Sequence, residues 1–204
     1  GGAYPEFIMA LYAARRLGVP VKWTSTRSES FLADCQSRDH QFHVRLAADE
    51  TGRFTGLEVH ADWRHGAYSP SRSFWVMTQY LPPTVGGVYD VGPLALRLRG
   101  FYSNTVPLSA LRGIGRVEAT YLLESAIDAL ARKMSMDRVE LRRRNMVGPH
   151  QLPWKAAGGA EYFSGDFPAN LERALTLAEW DGFDARRRQA QALGKRRGIG
   201  VAMF

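Results

Sequence analysis

Apolar residues at Phe7, Leu11, Ala14 and Leu17 recur three and four positions apart behind Pro5, and the pattern stops at Gly18 and Pro20, which predicts a short packed helix. Residues 21–24 put Val21 and Trp23 on one side, as a strand would, and a polar loop of Ser, Thr, Arg and Glu follows. Phe42, Val44 and Leu46 alternate with His43 and Arg45. Beyond residues 49–52, Leu57, Val59, Ala61 and Trp63 alternate with Glu58, His60, Asp62 and Arg64. Period two on both sides of a Gly-containing turn predicts a long antiparallel hairpin with one wet face. Residues 65–93, rich in Gly, Pro, Ser and Tyr, read as a long irregular connection, and Leu94, Leu96 and Leu98 form a further half-buried strand. The spacing then becomes helical. Leu122, Leu123, Ala126, Ile127, Leu130 and Met134 lie on one stripe, with Glu124, Asp128 and Arg132 laddered opposite. Asp137 with Glu140 opens the next helix, through Asn145. Helices over roughly 168–179 and 182–193 and a strand beginning near Gly198 complete the pattern. The fold class is α+β: a mixed sheet with a long antiparallel hairpin, covered by helices. Residues 1–116 are mainly strands and loops behind an N-terminal helix, and residues 117–204 are mainly helical with a terminal strand.

Composition narrows the class. With 204 residues, 45% of them apolar and 23% charged, the chain can bury a sizeable core, so disorder is excluded. The single cysteine, Cys35, permits no internal disulfide and no thiolate cage for zinc or an iron-sulfur cluster. It fits a reducing compartment, the cytoplasm, with the periplasm left open. The longest apolar run, residues 7–14, falls short of the roughly 18 to 20 residues of a membrane-spanning helix. The chain opens without Met and closes on Val201, Ala202, Met203 and Phe204, so it is expected to be an excerpt of a longer protein. The net charge of +7 gathers at Arg142, Arg143 and Arg144, at Arg186, Arg187 and Arg188, and at Lys195, Arg196 and Arg197. Such clusters suit nucleic acid or an acidic partner. Interleaved Glu140, Glu172, Glu179, Asp181 and Asp184 make solvated helix faces the plainer reading.

Candidate chemistry is sparse outside one loop. His40, His43, His60, His65 and His150 show no metal-ligand spacing, and His43 and His60 fall on the polar phase of the hairpin. Gly-x-Ser-x-Gly, Walker and His-Glu-x-x-His patterns are absent from the sequence, which removes support for hydrolase and nucleotide triphosphatase readings. Cys35 reads as a bystander thiol, and the five tryptophans as packing residues. The exception is Leu111-Arg112-Gly113-Ile114-Gly115-Arg116, which leads into the helix at Val117. Two glycines let backbone amides turn toward a ligand, and a helix start adds unpaired N–H groups and the positive end of its dipole. An anion or an electron-rich oxygen suits such a loop, as does a purely structural turn. Glu118 stands where a dinucleotide fingerprint needs a third glycine.

At this loop a family resemblance enters. Val106-Pro107 through Ala119, with Ala110-Leu111-Arg112-Gly113-Ile114-Gly115-Arg116 followed by Val117-Glu118-Ala119, resembles the segment written A-Y-R-G-A-G-R-P-E-A in the molybdopterin-binding large subunit of molybdenum hydroxylases, the xanthine dehydrogenase and aldehyde oxidase family. Pro5-Glu6, Ala13-Ala14-Arg15-Arg16-Leu17-Gly18, Val19-Pro20-Val21-Lys22-Trp23, Arg27-Ser28-Glu29, Gly66-Ala67-Tyr68, Glu140-Leu141-Arg142-Arg143-Arg144-Asn145 and Ser164-Gly165-Asp166-Phe167 are similar to its other landmarks, in order.

The resemblance implies that Arg112, Gly113 and Gly115 contact a molybdenum-molybdopterin cofactor, in its cytosine dinucleotide form, and that Ile114 walls the substrate pocket. Ile114 stands where purine-oxidising members often carry an aromatic ring, and Gly113 where carbon monoxide dehydrogenases carry a copper-holding cysteine. Both changes point away from those substrates. The implied reaction is hydroxylation of an aldehyde or N-heterocycle at an electrophilic carbon. Electrons would pass to an iron-sulfur small subunit and an FAD medium subunit. The family's glycine-rich loop would precede Gly1, and its general-base glutamate would follow Phe204, so no catalytic residue is expected in residues 1–204. A non-catalytic scaffold relative and a basic nucleic-acid-binding module are the alternatives.

Overall fold

The computed structural model describes residues 4–70 and 73–204. Its centre is a mixed three-stranded sheet in the order β1-β2-β3. β1 (His40–Ala48) and β2 (Phe54–Arg64) form the antiparallel hairpin in the predicted phase, with Leu46 opposite Leu57 and Val44 opposite Val59. The turn closes because the Asp49 carboxylate accepts from the amides of Thr51 (2.9 Å) and Arg53 (3.0 Å) while Gly52 takes a positive φ. β3 (Leu94–Phe101) lies parallel to β2 on its other side. Phe54, Leu57, Val59, Ala61 and Trp63 are buried along the inner face of β2. The wet face carries ion pairs, Arg45 to Glu58 at 3.1 Å and Arg99 to Asp62 at 2.5 Å.

A parallel pair needs a crossover, and here the structure corrects the irregular connection expected over residues 65–93. The chain turns helically through α3 (Ser73–Trp75), a π-helical turn (Val76–Tyr80) and α4 (Leu81–Thr84). Val76, Met77, Leu81, Val85, Tyr89 and Val91 are buried there, whereas Ser71 and Arg72 of the same connection lie outside the described residues. Pro82 and Pro83 fall at the start of α4, directly after the π-helical turn, where their fixed φ suits a helix.

α5 (Arg116–Met134) covers the sheet with Ala119, Leu122, Leu123, Ile127 and Ala131. α6 (Arg138–Asn145) begins at Asp137, whose carboxylate caps the amides of Val139 and Glu140 at 2.8 and 2.9 Å. The expected solvent ladder on α5 is corrected at Glu124, which is buried. It meets Arg142, which the sequence placed on a solvated face and which is 0% exposed. A small ribbon, β4 (Trp154–Lys155) with β5 (Glu161–Tyr162), precedes α7 (Phe167–Leu177) and α8 (Phe183–Ala192).

Three further expectations at the periphery change. α1 (Pro5–Leu17) forms and ends at the left-handed Gly18, but it is not packed. Phe7, Ile8 and Leu11 are 57, 63 and 71% exposed, so its apolar stripe is uncovered among the described residues. Residues 21–24 form no strand, and what read as a polar loop becomes α2 (Arg27–Ala33), nucleated by a capping box between Thr26 and Glu29. The strand expected near Gly198 is also absent among the described residues. That segment runs without a strand partner, with Val201 and Met203 against the core and the Met203 amide donating to Glu124 Oε1 at 3.1 Å. Among the described residues no helix is long and apolar enough to cross a membrane.

Candidate functional site

The Arg112 loop is carried between two fixed points. On its near side Gln36 bridges residues 107–109, its amide donating to Pro107 O (3.1 Å) and its carbonyl accepting from Ser109 N (2.9 Å), while Leu108 N donates to His65 O at 3.0 Å. On its far side α5 begins at once. Gly113 and Gly115 adopt φ of 93° and 74°, a region that side chains rarely enter. Ile114 N closes on Leu111 O at 3.1 Å, and Arg116 N and Val117 N both reach Gly113 O, at 2.8 and 3.3 Å. The amides of Arg112, Gly113 and Gly115 find no acceptor among the described residues. The loop thus offers three unspent N–H groups beside a helix N-terminus, flanked by the exposed Arg112 and Arg116. That combination can hold an anionic or oxygen-rich group.

The two glycines serve different neighbours. A Cβ on Gly115 would lie 2.5 Å from Leu81 N and 2.6 Å from Tyr80 C, so this bare Cα lets the loop close onto the start of α4. A Cβ on Gly113 would meet only the Val117 side chain, at 2.6 Å, and Arg38 Nη2 at 3.7 Å. Ile114 is partly buried and packs against the cluster of Trp63, Val76, Met77 and Leu108, which anchors the loop's centre.

Beneath the loop lies a polar cluster that sequence reasoning missed. Glu118, in the first turn of α5 and 4% exposed, takes Arg38 Nε and His40 Nε2 on one carboxylate oxygen, each at 3.4 Å. The His40 ring stacks on Trp63 with centroids 3.7 Å apart. Burial pushes the Glu118 carboxyl up, but the His40 hydrogen bond, its own backbone amide and the charges of His40 and Arg38 outweigh this and hold it below the usual range. Arg38 also donates from Nη2 to the Arg112 carbonyl at 2.8 Å. The sequence separations, 74 residues for that bond and 78 for His40 to Glu118, leave no local signature of the cluster.

Other candidates resolve into structure. Arg143 pairs with Glu172, Arg144 with Glu140, Arg186 with Glu179 and Arg187 with Asp184, so these four arginines are held in local ion pairs. Burial, followed by the charge of Asp34, pushes the Cys35 thiol up, away from a reactive thiolate. Among the described residues no group of three His, Cys, Asp or Glu side chains could hold a metal ion.

Comparison with known proteins shows which family the chain is similar to. A family model described as a molybdopterin cofactor-binding domain matches residues 1–146. The nicotine 6-hydroxylase large subunit of Paenarthrobacter nicotinovorans is 33% identical over 205 residues, covering 98% of this chain and 25% of the relative. The carbon monoxide dehydrogenase large chain of Hydrogenophaga pseudoflava is 33% identical over 208 residues, covering 100% and 26%. Quinoline 2-oxidoreductase from Pseudomonas putida 86 superposes with a TM-score of 0.86 at 28% identity, covering 95% of this chain and 25% of that one. The chain spans about a quarter of the length of the curated relatives it matches.

Proposed function

We propose, because this chain belongs to the molybdopterin cofactor-binding domain family, that residues 1–204 are part of the cofactor-binding domain of a molybdenum hydroxylase large subunit. The whole protein is an oxidoreductase that hydroxylates an aldehyde or an N-heterocycle at an electrophilic carbon. When bound, the molybdenum-molybdopterin cofactor, in its cytosine dinucleotide form, supplies two-electron oxidation with water as the oxygen source. The amides of Arg112, Gly113 and Gly115 hold its oxygen-rich edge, the positive end of α5 adds to that field, and Ile114 forms one wall of the substrate pocket. Iron-sulfur and FAD subunits take the electrons, in the cytoplasm. The observation that carries the reading is the set of three amides left without an internal acceptor beside a helix start.

Glycine at position 113 opposes carbon monoxide as substrate, because it offers no thiolate to a copper ion. The branched aliphatic Ile114 favours a compact or aliphatic-edged substrate over one that must stack flat. The nucleic-acid reading is opposed by the local pairing of Arg143, Arg144, Arg186 and Arg187. Expression of the full-length complex in a host that makes the cofactor tests the assignment. Metal and pterin analysis should give one molybdenum and one pterin per large subunit. A complex without either, or one that binds DNA with a steep loss on adding salt, would overturn it.

A further inference from the structure

We propose that Arg38 is a positioning residue: by holding the Arg112 carbonyl it sets the plane of the Arg112–Gly113 peptide and so the direction in which the Gly113 N–H is offered to the cofactor. The inference rests on the reading that this loop contacts molybdopterin. Its first support is geometric. Arg38 Nη2 donates to Arg112 O at 2.8 Å. That peptide is trans, since Leu152–Pro153 is the one cis bond among the described residues, and in a trans peptide the N–H points opposite to the C=O. A guanidinium behind the carbonyl therefore aims the Gly113 N–H forward, and that N–H has no acceptor among the described residues.

The second support is how Arg38 is itself held. Its Nε lies at ion-pair distance, 3.4 Å, from Glu118 Oε1 without hydrogen-bond geometry, so one guanidinium is hydrogen-bonded to the loop's Arg112 carbonyl and charge-paired with the first turn of the helix that follows it. Glu118 is fixed in turn by His40, which stacks on Trp63. Arg38 has φ of 67°, uncommon for a residue with a side chain, and the pairing of Gln36 with residues 107–109 ties the neighbouring backbone to the segment leading into the loop. Lysine carries the same charge on one compact ammonium, and it lacks the rigid fork needed to reach both partners.

The test uses the full-length heteromeric enzyme, loaded with cofactor, as wild type, Arg38→Lys and Arg38→Met. Molybdenum and pterin content, the paramagnetic resonance spectrum of the part-reduced metal, and kcat and KM are read for each. The expected result is a shifted spectrum in both variants, with kcat lowered roughly 100-fold in Arg38→Met, less in Arg38→Lys, and KM little changed. Wild-type spectrum and kcat in a loaded Arg38→Lys overturn the proposal, even where Arg38→Met fails to fold. A wild-type complex lacking molybdenum and pterin overturns the underlying assignment, and this proposal with it.

Discussion

Arg142 provides a sharp test of how the helical layer is held. It is 0% exposed, and its Nε donates to Glu124 Oε2 at 2.8 Å while Nη1 reaches Asp128 Oδ1 at 2.9 Å and the Arg138 carbonyl at 3.0 Å. Glu124 Oε1 accepts from the Tyr89 hydroxyl at 2.7 Å and from the Met203 amide at 3.1 Å. Burial, then the Glu124 charge, pushes the Tyr89 hydroxyl well up, so it stays neutral and donating. Arg142→Met removes the cation that touches the buried Glu124 carboxylate, and breaking such a pair costs about 3–5 kcal/mol. Removing Glu124 as well, as Glu124→Leu/Arg142→Met, erases the uncompensated charge. It strands the Tyr89 hydroxyl and the Met203 amide, at about 1–3 kcal/mol for each group that water cannot reach. Asp128 is 27% exposed and turns to water, or to Arg138 at 3.8 Å, at little cost. The double variant should therefore lose less than the sum of the two single losses, with a favourable coupling of about 2–3 kcal/mol in the cycle. Amide hydrogen exchange of α5 and α6 in the full-length protein reads the local opening free energy. Arg142→Met with parental protection, or a double variant whose loss equals the sum of the two single losses, would refute the reasoning.

The loop and its surroundings yield two further expectations. Gly115→Ala forces a side chain to φ of 74° against the Tyr80–Leu81 backbone, costing about 1–2 kcal/mol for the conformation and about 1–3 kcal/mol for the overlap. Gly113→Ala carries a like conformational cost at φ of 93°, but its Cβ meets side-chain atoms of Val117 and Arg38 rather than backbone and should cost less, so equal or reversed losses in a denaturant titration would contradict the packing described. Burial holds the His65 imidazole below its usual 6.5. The stability from its neutral ring is thus complete above that pH and drains away as pH falls toward the lowered folded value, because the unfolded chain takes up the proton first. Thermal unfolding between about pH 7.5 and 5 should lose part of its slope in His65→Asn, and an unchanged slope would assign the dependence elsewhere.

What the sequence revealed was what one-sided burial imprints on it. The hairpin, β3, α5 and α6 each bury one face, so their periods of two and 3.6 residues survive in the order of residues. The crossover through Val76, Met77, Leu81 and Val85 is apolar without a clean period, and its Pro82-Pro83 pair resembles a loop until it is seated in a first turn. α1 was readable as a helix, but a stripe of Phe7, Leu11, Ala14 and Leu17 says that a face is apolar, not what covers it. At the site, Arg112, Gly113 and Gly115 were legible because glycine spacing and a helix start are local properties. Arg38, His40 and Glu118 were not, since only the folded sheet brings them together. Arg142 misled for a related reason: its burial depends on Glu124, eighteen residues earlier, facing inward.

The account turns on whether the unspent amides of residues 112–115 receive the cofactor. Amide hydrogen exchange of this loop, compared between the loaded full-length protein and the same protein depleted of molybdopterin, measures that contact directly. The account predicts slowed exchange at Arg112, Gly113 and Gly115 on loading, with Ile114 and Arg116, already bonded within the chain, changing far less. Equal exchange at all five positions, in a protein shown to have taken up its metal, would place the cofactor elsewhere.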